Sequence, residues 1–150
     1  MRFIYSSLII LFLSACTDSR DPKTLFEQGD YEKSLILWAE LAEQGDTSAQ
    51  NYVGIQYYLG LGAKRNHRLA KEWFEKSAVQ GFADAQYNLA VMYENGEYVG
   101  RDYTSAAMWY SLAIEQGNQH AQRRMQAILD EHKLFPNQYK RAQELAEQYR

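Results

Sequence analysis

The sequence predicts an all-α fold, a right-handed α-solenoid of antiparallel helix hairpins, and three observations carry that prediction. Ala-Gln recurs at Ala49-Gln50, Ala85-Gln86 and Ala121-Gln122, a spacing of 36 residues. Gln-Gly recurs at the same spacing at Gln44-Gly45, Gln80-Gly81 and Gln116-Gly117. Other positions keep the register without a gap: Asp30, Asn66 and Asp102; Ser34, Ala70, Ala106 and Ala142; Leu37, Trp73, Trp109 and Leu145. A fixed period of roughly 20–50 residues marks an array whose units cannot bury their apolar faces alone and therefore stack.

Composition agrees with that class. The chain has 150 residues, enough for one domain, and a net charge of −3. A basic face is the footprint of a nucleic-acid partner, so the negative balance argues against one. There are 12 Tyr and only 2 Pro, which suits packed helices.

Taken in order, the chain opens with a segment unlike the rest. Arg2 supplies a positive start, residues 3–13 are mostly apolar, and Ser14 and Ala15 precede the single cysteine, Cys16. The apolar run is too short to span a membrane, which needs about 20 residues, and it has the layout of a signal peptide over 1–15. An ordinary cut near Ala15 or a short uncleaved anchor is one reading. The other turns on Cys16, because Leu13-Ser14-Ala15-Cys16 resembles the lipobox of bacterial lipoproteins. That resemblance implies that Cys16 becomes an acylated N-terminus, and Thr17 after it implies an outer-membrane lipoprotein facing the periplasm. Residues 16–21 would then be the lipidated cysteine and a short linker. With Cys16 acylated, no thiol is left for a disulfide.

The solenoid is expected over 22–150. A degenerate unit over 22–45 has a short first helix over 22–28, opened by Pro22, and a second over 31–44. Two fuller repeats follow, 48–81 and 84–117. In the first, Ala49, Tyr52, Val53 and Tyr57 recur at intervals of three to four, as an amphipathic helix requires, with Gln56 as a polar exception. Ala85, Leu89, Ala90 and Tyr93 do the same in the second. Gly60 and Gly96 suit the left-handed geometry that ends a helix, and Asn66 and Asp102 sit where the second helix of each hairpin needs an N-cap. Those second helices are expected over 67–80 and 103–116. A last degenerate unit over 120–150 has helices over 122–132 and 138–149, separated by a turn at Phe135-Pro136-Asn137.

These residues resemble a known family. Ala-Gln-x-x-Leu/Val-Gly/Ala-x-x-Tyr-x-x-Gly, then Asp-x-x-x-Ala-x-x-Trp-Phe/Tyr, then Gln-Gly, is similar to the Sel-one-like repeat of the tetratricopeptide type. Residues 85–117 carry nearly the whole pattern; residues 49–81 carry most of it, with Asn66 in the Asp place. The resemblance implies adaptor work in assembling protein complexes, often at bacterial envelopes. It also implies that the first helix of each hairpin lines a concave groove. The candidate partner-binding residues are Asn51, Ile55, Tyr58, Tyr87, Val91, Glu94 and Arg123, with Ala127 and Asp130 at the equivalent places of the last unit. Tyr and Arg are enriched at binding hot spots.

No pattern of catalytic or metal-ligating residues competes with that reading. His67, His120 and His132 have no ligand spacing, and no Gly-x-Ser-x-Gly elbow is present. Gly60-Leu61-Gly62-Ala63-Lys64 lacks the full phosphate-loop pattern and is better explained as a helix end. No cofactor is expected. The expected function is a lipid-anchored periplasmic adaptor that holds another envelope protein. The alternatives are an enzyme of cell-wall or β-lactam metabolism, and a glycan-binding subunit of an export system.

Overall fold

The computed structural model describes residues 21–150. The expected signal peptide, Cys16 and most of the expected linker fall outside them. The described residues form eight α-helices in chain order, α1 Pro22–Glu27, α2 Tyr31–Glu43, α3 Thr47–Leu59, α4 His67–Ala78, α5 Ala83–Asn95, α6 Tyr103–Glu115, α7 Gln119–Asp130 and α8 Pro136–Ala146, closed by a 3-10 turn, Glu147–Tyr149. No strand occurs among them. None of these helices is long and apolar enough to cross a membrane.

Local chemistry sets the helix boundaries. Asp30, Asp46, Asn66, Asp102 and Asn118 are N-caps whose side-chain oxygens accept backbone N–H bonds from the first turn. These bonds meet donors that a helix start leaves without a partner. Gly60 and Gly96 close α3 and α5 at φ of 76° and 74°, a region other residues enter only under strain. Two expected boundaries shift at the C-terminal end. α7 starts three residues before the expected 122, because Asn118 caps it in the phase of Asp46. α8 starts at Pro136 rather than 138, because proline at the first helical position lacks only an N–H that would have no helical partner anyway.

The hairpins α3–α4 and α5–α6 are the two regular repeats, and α2–α3, α4–α5 and α6–α7 join successive units. Ala49, Ala85 and Ala121 are fully buried, as are Ala70, Ala106 and Ala142, so small residues stand where helices meet. Trp38, Phe74 and Tyr110, one place beyond the expected Leu37, Trp73 and Trp109 register, are buried aromatics that recur at the same period. Trp109 is buried as well; Trp73 is half-buried, with the Lys76 ammonium 3.8 Å from its ring centre. The last unit departs from the pattern. α8 lies against α6 instead of pairing with α7, and places Ala142 and Ala146 in the main core.

The recurring glutamines tie the stack together. The Gln50 amide donates to the Ala42 carbonyl at 3.2 Å, and Gln86 to the Ala78 carbonyl at 3.1 Å. Each then accepts from the glutamine of a Gln-Gly pair, Gln80 at 2.8 Å and Gln116 at 3.1 Å. Gln56, the polar exception, is fully buried, and its amide donates to the Tyr31 carbonyl at 2.9 Å. The buried polar residues of the first helices thus bridge units across the apolar layer.

Candidate functional site

A groove runs along the face shared by α3 and α5. One end is an apolar pocket of about 290 Å³, floored by Phe74 of α4 and walled by Ile55, Tyr58, Leu59, Tyr87 and Val91. The other is a polar pocket of about 440 Å³ that reaches Asn51, Tyr52, Asp84, Asn118 and His120. Ile55, Tyr87 and Asn88 line both pockets, so the two are one continuous depression. The helical spacing puts them there. Residues 51, 55 and 58 fall on one face of α3, and 87, 88 and 91 on the matching face of α5, offset by the repeat.

The structure gathers five of the seven candidate residues in this groove: Asn51, Ile55, Tyr58, Tyr87 and Val91. Glu94 lies elsewhere. It is buried, and it accepts from Arg124 at 2.6 and 3.1 Å and from the Tyr110 hydroxyl at 2.6 Å. Its carboxylate is engaged inside the stack, where a buried charge must be paired to be tolerated. Burial, with Glu94 beside it, pushes the Tyr110 phenol well above the usual tyrosine range. Arg123 is exposed at the rim, 3.1 Å from Nδ1 of His120, and reaches the groove only through that ring.

Sequence reasoning missed Tyr52, Phe74, Asn88 and His120. Asn88 and Tyr52 share one repeat phase, one residue beyond Asn51 and Tyr87. A groove one residue wider on each helix would have included them. Phe74 carried the signal of a core residue, and Gly54, without a side chain, lets its ring pack close against α3.

Electrostatics within the groove are mild. Asp84 is exposed and accepts from Asn118 at 2.9 Å. Burial pushes the Tyr58 phenol up to about 12, with Glu97 adding to the effect; its ring stacks on His67 at 5.1 Å. Among the described residues, no group of three or more His, Cys, Asp or Glu side chains is placed to hold a metal ion. What the groove offers is area: aromatic and aliphatic faces beside a row of carboxamides.

Three stretches of the chain, residues 26–46, 47–82 and 83–118, match the model of the Sel1 repeat. The chain is similar to the crystal structure of c5321, a protective antigen present in uropathogenic Escherichia coli strains displaying an SLR fold. The TM-score is 0.79 at 30% identity, over 85% of this chain and 28% of that one. It is also similar to a Sel1 repeat protein from Oxalobacter formigenes, with TM-score 0.70 at 32% identity, over 82% of this chain and 54% of that one. The chain thus spans well under two thirds of either protein. No curated protein gives a significant sequence match.

Proposed function

Because the chain belongs to the Sel1 repeat family, a scaffold suited to protein–protein interaction, we propose that it is an adaptor holding another envelope protein through the α3–α5 groove. The observation that carries this reading is the groove itself. Ile55, Tyr58, Tyr87 and Val91 leave partly exposed apolar surface on one continuous face, beside polar side chains that could fix a register. Concave, mostly apolar sites with a few placed polar groups are where ligands bind.

The adaptor is further proposed to be held at a membrane by acylation of Cys16, on the periplasmic side of the outer membrane. Support comes from the Leu13-Ser14-Ala15-Cys16 pattern. Residues 17–21 could extend roughly 17 Å, so whatever the groove holds would lie near that surface.

Two experiments test this reading. Co-purification from solubilised membranes should recover a partner with the wild type and lose it with the combined variant Tyr58→Ala, Tyr87→Ala and Arg123→Ala. An unchanged set of partners would sink the groove assignment. Radiolabelled palmitate should enter the wild type and not Cys16→Ser; failure to label the wild type would remove the anchor and leave the groove untouched.

A further inference from the structure

We propose that the chain assembles head to tail with copies of itself, the α2 face of one copy against the α8 end of the next. The contact is separate from the groove, since no α2 or α8 residue lines either of its pockets.

The α2 face is open because the first unit is short of helix. Leu41, Ser77 and Ala113 hold one repeat phase. Ser77 is fully buried, and its hydroxyl donates at 2.7 Å to the carbonyl of Thr47, the first residue of α3. Ala113 is fully buried too. The first unit supplies only α1, six residues where α3 and α5 have thirteen. Leu41 is accordingly 36% exposed, and Ile36 on the same helix is 55% exposed. The outermost unit of a solenoid needs a polar outer face to stay soluble alone, yet α2 turns two aliphatic side chains outward. Glu32 and Glu40 stand four residues either side of Ile36, with Glu43 on the same stripe. All three are exposed, and none has a cationic partner among the described residues. The one lysine of α2, Lys33, is held by Asp30 at 2.6 Å.

The opposite end carries the complement. Residues 21–46 have seven acidic and two basic side chains; residues 119–150 have six basic and four acidic, histidines aside. At the start of α8, Phe135 and Tyr139 are 64% and 38% exposed. Four residues apart, they share a side of the helix. Lys140 and Arg141 follow, both exposed. Lys140 has no carboxylate partner among the described residues, and Arg141 reaches Glu144 only at 3.4 Å. Aromatic rings and cations at one end thus match aliphatic side chains and carboxylates at the other, and a second copy brings both. Pairing α2 with α2 across a two-fold axis would set three glutamates against three, which like-charge repulsion disfavours. A contact between unlike faces repeats from copy to copy, so it yields an open array or a ring.

Sedimentation equilibrium of the full-length protein in a density-matched non-ionic detergent tests this. At about 20 mM salt the average mass should rise with concentration past that of a dimer. At about 0.5 M it should fall back towards the monomer, because salt screens exposed charges. Glu40→Lys with Glu43→Lys, and separately Lys140→Glu with Arg141→Glu, should each weaken self-association at least about tenfold. Mixing the two variants should restore it, because reversed α8 ends then meet reversed α2 faces while native ends meet native faces. That recovery requires both variants to be folded, which circular dichroism checks independently. A wild type that stays monomeric at about 100 μM in low salt would overturn the proposal. So would a mixture no more associated than either variant alone. Self-association untouched by either reversal would overturn the head-to-tail arrangement.

Discussion

Individual side chains matter most where the helices come closest. A Cβ placed on Gly54 would lie 2.6 Å from two carbons of the Phe74 ring, far inside van der Waals contact. Phe74 is 2% exposed and cannot swing away without disturbing the core. Gly54→Ala should therefore destabilise the protein by about 1–3 kcal/mol, the usual cost of overpacking, read as a lower urea midpoint. The same variant should reshape the groove floor. Tyr58 can be followed directly. Its phenolate absorbance, isolated as the difference between wild type and Tyr58→Phe, should titrate near 12 rather than 10, because burial disfavours the charged ring. A titration near 10 would mean that the Tyr58 hydroxyl is open to water and the apolar pocket is not closed around it.

At the scale of the element, the glutamine ladder explains why Ala-Gln and Gln-Gly are the markers of the period. The alanine lets two helices touch, and the glutamine beside it meets a carbonyl at the end of the preceding helix. Removing the Gln86 rung takes one of two donors from the Ala78 carbonyl, which keeps the Gly81 N–H, and leaves the Gln116 amide without its acceptor. Gln86→Ala should thus cost about 1–3 kcal/mol, whereas Gln122→Ala should be neutral within roughly 0.5 kcal/mol. Gln122 holds the same repeat position but is exposed and has no ladder bond among the described residues. The contrast is measured by paired chemical denaturation; equal costs would show that the ladder is not what the motif stabilises. The α8 helix shows the limit of periodicity. Ala142 keeps the phase of Ala106, yet its helix packs on α6, because Leu134 and the turn at Phe135 and Pro136 carry the chain away from α7.

For the whole molecule, the charged groups define a pH window of stability. Asp21, Asp30 and Asp46 have carboxyls held below the ordinary 3.8 by bonds that favour the charged form. For Asp21 the first cause is the Thr24 hydroxyl, for Asp30 the Lys33 ammonium, and for Asp46 the Ala49 backbone N–H. Glu115 is held below 4.5 by Arg150. Groups with lowered folded values stabilise above their unfolded pKa, and that contribution is lost as pH falls through the folded one. Tyr58, Tyr93 and Tyr110 lie above 10.0, chiefly through burial. Their contribution is full below 10 and lost as pH rises through the folded values. Melting temperature should therefore be nearly flat between about pH 5 and 9, falling below about 4 and above about 10. A maximum confined to either end would contradict these assignments.

What the sequence determined by itself was whatever depends on repetition and local geometry. The 36-residue period, the caps at Asn66 and Asp102, the closing glycines and the two regular hairpins all follow from residue types that act within a few positions of themselves. Most of the groove's lining was legible because the family resemblance puts the first helices on the concave side and helical spacing then groups Ile55 with Tyr58, and Tyr87 with Val91. The tertiary structure alone decided which groove side chains are free. Glu94 occupies a groove position by phase, but Arg124 and Tyr110, 30 and 16 residues away, take its oxygens. Asn51 reads as an ordinary polar position until Asn88, 37 residues on, donates to its oxygen. Whether a polar group is spent or available depends on partners that only stacking brings together, and no periodicity in the chain encodes that.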